Sequence, residues 1–402
     1  MTGITTGERV RRGGLVFLIA ASIASSIGGL PFNTLPILLG AFADRLALGP
    51  AELGTLGSAC TGGYLLSTLL GPLWVDRVPW RFATAVAVAG TVGALLWSAA
   101  NSGAPYLPLA TFGFAAGMMH SLGMRIVGEV ANKERAFGIR LLTELVIVAV
   151  LLFFLPLLIA SHAIGGGMTL LAVAVACMGL AGFLIPRGPA GSAADAPGTT
   201  GSAAGGVGMA GWLALGIFVV FACGQVALWV FIERIGRSIE VSAGEMGLVF
   251  AVLKVVGGLS AALVALLGDR LGNRWPHVLG FLVIGLGVAL LASPTSFMIY
   301  AMGAWVWEAA FTICCVYQTA AIAKLDRSNR LVVLVPAAFA VSAFVGPELA
   351  GRLAESGGFT PLFLLAAGCA AIPALAYWFF ATRMDGTAQR NPAPTPGGAV
   401  SR

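Results

Sequence analysis

Two ionisable residues lie deep inside long apolar segments of the chain. Lys254 falls in the segment 243–267 and Glu308 in the segment 296–323. At a helical rise of about 1.5 Å per residue, both lie roughly 17–18 Å from the segment start, near the middle of a bilayer. A charge facing lipid costs several kcal/mol, so we expect both side chains to face a wet cavity and each other. The ammonium could anchor an anionic solute, or the pair could only fix helix packing.

Polar and aromatic residues in other apolar segments could line the same cavity. His120 is a candidate for proton coupling, because imidazole titrates near neutral pH. Asn33 lies between Pro31 and Pro36, whose missing backbone donors are expected to loosen that helix. Aromatic rings beside a cation suit an amphipathic or aromatic anion. The predicted binding or coupling set is Lys254, Glu308, His120, Gln225, Trp229, Trp305, Tyr317, Gln318, Asn33 and Tyr64.

The composition places these residues in a membrane protein. Of the 402 residues, 58% are hydrophobic and 10% are charged, and the mean hydropathy is +0.93. A soluble domain carries about 25% charged residues. The net charge of +6 is scattered over short turns without a basic patch, so a nucleic-acid partner is not expected. The six cysteines lie in apolar segments without metal-ligand spacing, and we expect no metal and no cofactor.

Twelve segments are long enough to cross a bilayer, which takes about 20 apolar residues. A stretch rich in Gly, Ala, Ser, Pro and Thr separates the first six from the last six and cannot bury a core. The sequence predicts an all-α integral membrane protein of two six-helix bundles, 1–186 and 209–383, with a flexible linker at 187–208 and a disordered tail at 384–402. We number the predicted spans 1 to 12 in chain order: 14–41, 51–74, 82–100, 106–130, 138–160, 165–185, 209–233, 243–267, 276–293, 296–323, 331–353 and 359–381.

Lysine and arginine are concentrated on one side of these spans. With the N-terminus in the cytoplasm, 17 of the 23 lie in cytoplasmic segments, 4 in outer loops, and Arg125 and Lys254 within spans. This bias predicts that both termini are cytoplasmic and that the protein lies in the inner (cytoplasmic) membrane. Arg140 is counted as cytoplasmic and shares a helix face with Glu144, which predicts a salt bridge at the membrane edge.

A charged turn after span 2 is repeated after span 8, as Asp76-Arg77 and Asp269-Arg270. Such a repeat indicates a duplicated membrane unit. We expect Asp76 to accept hydrogen bonds from Arg77 or Arg81 and to help hold the two halves together on the cytoplasmic side. Alternatively, these charges only mark the membrane edge. The predicted gate set is Asp76, Arg77, Arg81, Arg125, Glu129, Asp269, Arg270 and Arg274, with Arg125 and Glu129 as a local pair.

The two bundles, the central linker and the repeated turns resemble the major facilitator superfamily. That family's loop signature reads roughly Gly-x-x-x-Asp-Arg-x-Gly-Arg-Arg. The second turn fits it at Asp269-Arg270, Gly272 and Arg274, whereas the first turn has Pro79 and Trp80 in place of Gly and a basic residue. The resemblance implies that spans 3, 6, 9 and 12 lie outside and that the other spans line a central cavity.

The resemblance also implies a secondary active transporter that works by alternating access. The sequence has no phosphate-binding loop, so ATP is not expected to drive it. We expect a monomer that moves a small organic anion, such as a carboxylate, together with protons. Proton-driven efflux of hydrophobic drugs remains an alternative, in which Glu308 and Glu144 attract cations. A membrane-embedded enzyme or sensor is a remote alternative, because only His120 among the three histidines lies deep in a span.

Overall fold

A computed structural model describes residues 15–100, 103–127, 133–185, 188, 208–272, 274–325 and 331–390. Within these ranges the chain is almost entirely helical and contains no strand. The first half contains the helices of spans 1 to 6: Leu15–Ser26, Leu30–Leu46, Pro50–Trp74, Trp80–Ala100, Tyr106–Val127 and Lys133–Leu180. The second half contains those of spans 7 to 12: Met209–Arg237, Ala243–Leu267, Trp275–Ala292, Phe297–Leu325, Val335–Gly357 and Thr360–Arg390.

Two segments of the first half depart from a single straight helix. Span 1 consists of two helices joined by the 3-10 turn Ile27–Gly29, just before Pro31. Spans 5 and 6 belong to the long segment Lys133–Leu180, which non-helical backbone interrupts at His162 and Ala163. Ala163 has a φ of 54°, so the chain reverses there through a left-handed residue.

The prediction of an all-α membrane protein is confirmed, and the described helices are compatible with twelve crossings. By length and composition, eight helices of the described residues could cross a membrane. The helices of spans 2, 4 and 11 are not among them, although each has 22 to 25 residues. They are less apolar because small residues take the place of large apolar ones. These small residues let the helix backbones touch. A Cβ on Gly113 of span 4 would lie 1.8 Å from the carbonyl oxygen of Cys60 in span 2.

The last helix continues beyond its predicted end. We expected a disordered tail from residue 384, but the helix that starts at Thr360 runs to Arg390. Residues 381–390 contain no proline, and Pro392 is the first residue that would stop a helix. Residues 391–402 lie outside the described residues, as does most of the predicted linker.

The two halves meet along two seams. Span 2 packs on span 11, and span 5 packs on span 8. Span 1 also contacts span 7 through Leu30–Leu46. We call the end of the bundle at Ile185 and Met209 the linker end, and the end at Asp44 and Arg237 the far end. The sequence predicts that the linker end is cytoplasmic.

Candidate solute-binding site

The structure brings Lys254 and Glu308 together inside the second half. Lys254 Nζ lies 4.0 Å from Glu308 Oε1, and both residues are buried. Gly257 makes room for the carboxylate, because a Cβ there would come within 2.7 Å of Oε1. The ammonium also lies 4.4 Å from the centre of the Trp229 ring, a cation–π contact of about 0.5–2 kcal/mol. Lys254 is thus held by one long ion pair and one aromatic face.

Trp229 connects this cation to the first half of the protein. Its Nε1 donates a 3.0 Å hydrogen bond to the carbonyl oxygen of Phe32 in span 1. That carbonyl lacks its usual helical donor, because residue 36 is a proline and has no N–H. The Phe32 ring lies 6.0 Å from the Trp229 ring. The prolines predicted to loosen span 1 therefore expose a backbone acceptor at the site.

An aromatic wall continues from Trp229 into span 10. The rings of Trp229 and Trp307 are 6.2 Å apart and nearly parallel, and Phe311 stacks on Trp307 at 5.6 Å. Gln225 fixes this wall by accepting a 2.9 Å hydrogen bond from Trp307 Nε1 and donating one of 2.9 Å to the carbonyl of Ala366. A cavity of about 40 Å³ lies between these residues and Lys254, which is room for a water but not for an organic solute.

A second buried ion pair lies in the first half. Arg140 Nη2 is 3.1 Å from Glu144 Oε2, and Arg140 Nε donates a 2.7 Å hydrogen bond to Ser25 Oγ. The expectation that Arg140 lies in a cytoplasmic segment is wrong, because its helix begins at Lys133 and the side chain is only 10% exposed. Glu144 lies within electrostatic reach of Lys254. The two pairs therefore share one electrostatic environment.

Three predicted residues lie on the first-half side of the site. Asn33 donates a 2.8 Å hydrogen bond to the carbonyl of Gly29. Glu144 packs against the same glycine, where a Cβ would fall 2.1 Å from Oε1. Tyr64 meets His120 edge-on, with ring centres 5.6 Å apart. These side chains form a polar wall near Glu144.

Three other predicted residues do not reach Lys254. Trp305 donates to the carbonyl of Val249 at 3.0 Å, and Tyr317 donates to that of Gly268 at 3.1 Å. Gln318 is fully buried, and its amide has no hydrogen-bond partner within the described part of the chain. None of them lines the 40 Å³ cavity.

Sequence reasoning missed three aromatic residues at the site: Phe32, Trp307 and Phe311. Trp307 and Phe311 are spaced i, i+4 on either side of Glu308, so they share a helix face next to the carboxylate. The same spacing relates Gln225 and Trp229, which were predicted. This pattern could have identified the wall.

The first charged turn is bonded within its own half. Asp76 Oδ1 accepts from Arg125 Nε at 2.7 Å, rather than from Arg77 or Arg81 as expected. Arg77 donates to the carbonyl of Leu73, and Arg81 Nε donates to that of Ile185 at 2.6 Å. The predicted partner of Arg125, Glu129, lies outside the described residues.

In the second turn, Gly272 has a φ of 65°, which explains the glycine of the signature. Pro79, at the matching place in the first turn, cannot adopt that φ. Arg270 is exposed, and the Arg274 guanidinium lies 5.4 Å from the Trp378 ring. Asp269 belongs to the 3-10 turn Gly268–Leu271, and its side chain is not described.

Ion pairs join the halves at the far end. Asp44 at the end of span 1 binds Arg234 Nη1 at 2.6 Å and Arg237 Nη2 at 3.1 Å, both on span 7. Between spans 2 and 11, Thr55 donates to Glu348 Oε2 at 2.8 Å. The backbone N–H of Ala51 donates to a carboxylate oxygen of Glu355, at 3.1 Å. These contacts hold the two halves together at the far end.

A serine hydroxyl of span 2 bridges two backbone groups of span 11. Ser58 Oγ donates to the carbonyl of Phe344 at 2.7 Å and accepts from the N–H of Glu348 at 3.1 Å. In an uninterrupted helix this N–H and this carbonyl would bond to each other. The seam between spans 2 and 11 thus includes backbone groups.

Among the described residues, no group of three His, Cys, Asp or Glu side chains could hold a metal ion. The candidate site consists of buried charges, amides and aromatic rings.

The second half of the chain, residues 213–401, matches the sequence model of the Major Facilitator Superfamily. No curated protein sequence matches the chain. Three solved transporters have a similar structure. A bacterial homologue of the human lysosomal transporter Spinster, in an inward-facing and unoccupied conformation, is 15% identical with a TM-score of 0.65, covering 94% of this chain and 98% of that one.

The nucleoside transporter NupG is 14% identical with a TM-score of 0.68, covering 90% of this chain and 98% of that one. The D-xylose-proton symporter is 14% identical with a TM-score of 0.67, covering 92% and 98%. At such identities the likeness shows the fold alone. The second half of the chain therefore has the sequence signature of this superfamily, and the chain has the fold of these solved transporters along its length.

Proposed function

We propose that this protein is a secondary active transporter for a small organic anion with a carboxylate group. The observation that carries the proposal is the buried Lys254, whose partner Glu308 lies 4.0 Å away. A solute carboxylate can replace Glu308 as that partner and form a shorter, charge-assisted hydrogen bond. The aromatic wall beside it suits the apolar part of an organic acid.

Alternating access is supported by the contacts that join the halves at the far end. Asp44 binds Arg234 and Arg237 there, and span 2 packs on span 11. We infer that the linker end faces the cytoplasm of an inner membrane, with both termini there, and that this conformation opens inward. In the opposite state, Asp76 and Asp269 of the charged turns would help to close the linker end.

We propose that transport is coupled to protons through charge balance at the buried site. Lys254 and Glu308 together are neutral, so a bound carboxylate would leave a net negative charge inside the membrane. Protonation of Glu308 removes that charge and its desolvation cost. One proton would then accompany each carboxylate, with Glu144 as the neighbouring acid and His120 as a further candidate.

Uptake into proteoliposomes tests both parts of this proposal. We expect a pH gradient to drive accumulation of a carboxylate, and Lys254→Ala to abolish it. Arg352→Gln is the matched control, because Arg352 is an exposed cation paired with Glu348 at the far end. Uptake that survives Lys254→Ala would refute the binding site. Uptake that an uncoupler does not reduce would refute the proton coupling.

A second candidate function is proton-driven export of hydrophobic cations. It is favoured by the parallel rings of Trp229, Trp307 and Phe311 beside Glu308. Ethidium export that Glu308→Gln abolishes, with no transport of carboxylates, would establish this function instead.

A further inference from the structure

A second cavity, of about 590 Å³, reaches Lys254 from the side of the bundle. We call it the lateral cleft. It lies between span 5 and the linker-end half of span 8. Apart from Lys254, the described residues on its walls are Leu, Val, Ala and Gly. Leu142, Val146 and Leu259 on these walls are more than half exposed. In a membrane-spanning bundle such exposed apolar side chains face hydrocarbon, so the lateral cleft opens toward lipid.

The lateral cleft differs from the central cavity in size. Binding sites for small organic molecules measure about 300–1,000 Å³. The central cavity of about 40 Å³ is far below that range, whereas the lateral cleft is within it. Lys254 lines both spaces, and among the described residues it is the only ionisable one on the lateral cleft. The lateral cleft therefore offers both the room for an organic solute and the cation for its charge.

We propose that the lateral cleft admits a single-chain amphiphile with a carboxylate head group from the half of the bilayer nearest the linker end. Its hydrocarbon chain lies between spans 5 and 8, and its carboxylate reaches Lys254. This inference rests on the proposed function and narrows its solute class from small organic anions to aliphatic acids.

The chemistry of the walls excludes a small polar anion as the best occupant. Such a solute would leave its hydrogen-bonding groups unpaired against Leu, Val and Ala. An acyl chain has no such groups and packs against the side chains that line the cleft. Only the carboxylate of such an amphiphile is costly to place in hydrocarbon, because it is charged. An ion pair with Lys254 offsets that cost.

Binding of two acids to the full-length protein in lipid nanodiscs tests the inference. We would compare butanoate with dodecanoate. The dodecanoate concentration is expressed as a mole fraction in lipid, which corrects the measured affinity for partitioning into the bilayer. We expect Val146→Trp, which fills the lateral cleft, to weaken dodecanoate binding at least tenfold and butanoate binding less than twofold. Leu259→Trp, on the facing helix, is expected to weaken binding of the two acids in the same way. Leu286→Trp is the matched control, because Leu286 is an equally exposed residue on span 9, away from the cleft.

The outcomes separate this inference from the proposed function. If Val146→Trp and Leu259→Trp leave dodecanoate binding unchanged while Lys254→Ala abolishes binding of both acids, the lateral entrance is refuted and the carboxylate site stands. If neither acid depends on Lys254, the proposed function itself fails. If dodecyltrimethylammonium binds as tightly as dodecanoate and is blocked by the same tryptophans, the occupant is not an anion. The unfolding temperature of each variant shows whether it has kept its fold.

Discussion

Each half of the bundle contains a buried ion pair, and the two pairs differ in how well their cation is bonded. In the first half, Arg140 binds Glu144 at 3.1 Å and Ser25 at 2.7 Å. In the second half, Lys254 lies 4.0 Å from Glu308 and against the Trp229 ring. Arg140 and Glu144 are on one helix, whereas Lys254 and Glu308 join spans 8 and 10. The comparison shows that the Arg140 side chain has more bonding partners than Lys254, and under the proposed function this leaves Lys254 available to a solute.

The largest effect is expected from removing the cation of the second half. Lys254→Met is predicted to weaken carboxylate binding about 100-fold, because it removes a charge-assisted hydrogen bond. It also leaves Glu308 unpaired, which is expected to lower the free energy of unfolding by about 3–5 kcal/mol. Lys254→Met with Glu308→Leu is predicted to recover most of the stability but none of the binding. Titration calorimetry and chemical unfolding measure the two effects. Recovery of binding in the double variant would show that Lys254 is not the anchor.

The same pair of substitutions in the first half is predicted to give the opposite pattern. Arg140→Met leaves Glu144 and Ser25 without their partner, and we expect the free energy of unfolding to fall by about 3–5 kcal/mol. Arg140→Met with Glu144→Leu is predicted to regain stability and to keep carboxylate affinity within about fivefold, since only long-range electrostatics change. A loss of binding as large as that of Lys254→Met would abolish the distinction between the two halves.

A smaller effect is expected at the contact between the halves. Trp229→Phe removes the donor to the Phe32 carbonyl and is predicted to lower the free energy of unfolding by about 1 kcal/mol. Pro36→Ala would give that carbonyl a helical N–H donor of its own. The cost of Trp229→Phe is therefore predicted to be smaller in the Pro36→Ala background. Additive effects in this double-mutant cycle would contradict the role assigned to Pro36.

The smallest effect is expected at the far end. Asp44→Asn weakens exposed ion pairs to Arg234 and Arg237, which are worth about 0.2–1 kcal/mol and are screened by salt. We predict that a cysteine placed at Ala41 reacts up to about fivefold faster with a membrane-impermeant maleimide. High salt is predicted to remove most of that difference. An unchanged rate at low salt would show that these pairs do not keep the far end closed.

Hydropathy predicted the fold class, and charge spacing singled out the central ion pair. Lys254 and Glu308 could be identified because each is the one ionisable residue in the middle of an apolar segment, so position along the helix was enough. The direction in which a side chain points was harder to predict. Span 10 is apolar on all sides, and its hydrophobic pattern does not show that Trp307 rather than Trp305 faces Lys254.

Two other errors have a common physical cause. Arg140 was assigned to a loop because it lies near the predicted start of span 5, but a partner in span 1 keeps it buried. Asp76 was paired with its neighbours in sequence, although the arginine that reaches it is on span 4. In both cases the partner comes from another helix, and one sequence does not record which helices are adjacent.

The Ser58 hydroxyl that bridges two backbone groups of span 11 has a consequence for how easily the far end can open. When spans 2 and 11 separate, the N–H of Glu348 can bond directly to the carbonyl of Phe344, as in an ordinary helix. The two backbone groups therefore exchange one partner for another, and neither remains unsatisfied in the membrane. A seam with this property can close tightly and still come apart with little loss of hydrogen bonding, which is the requirement of a reversible gate.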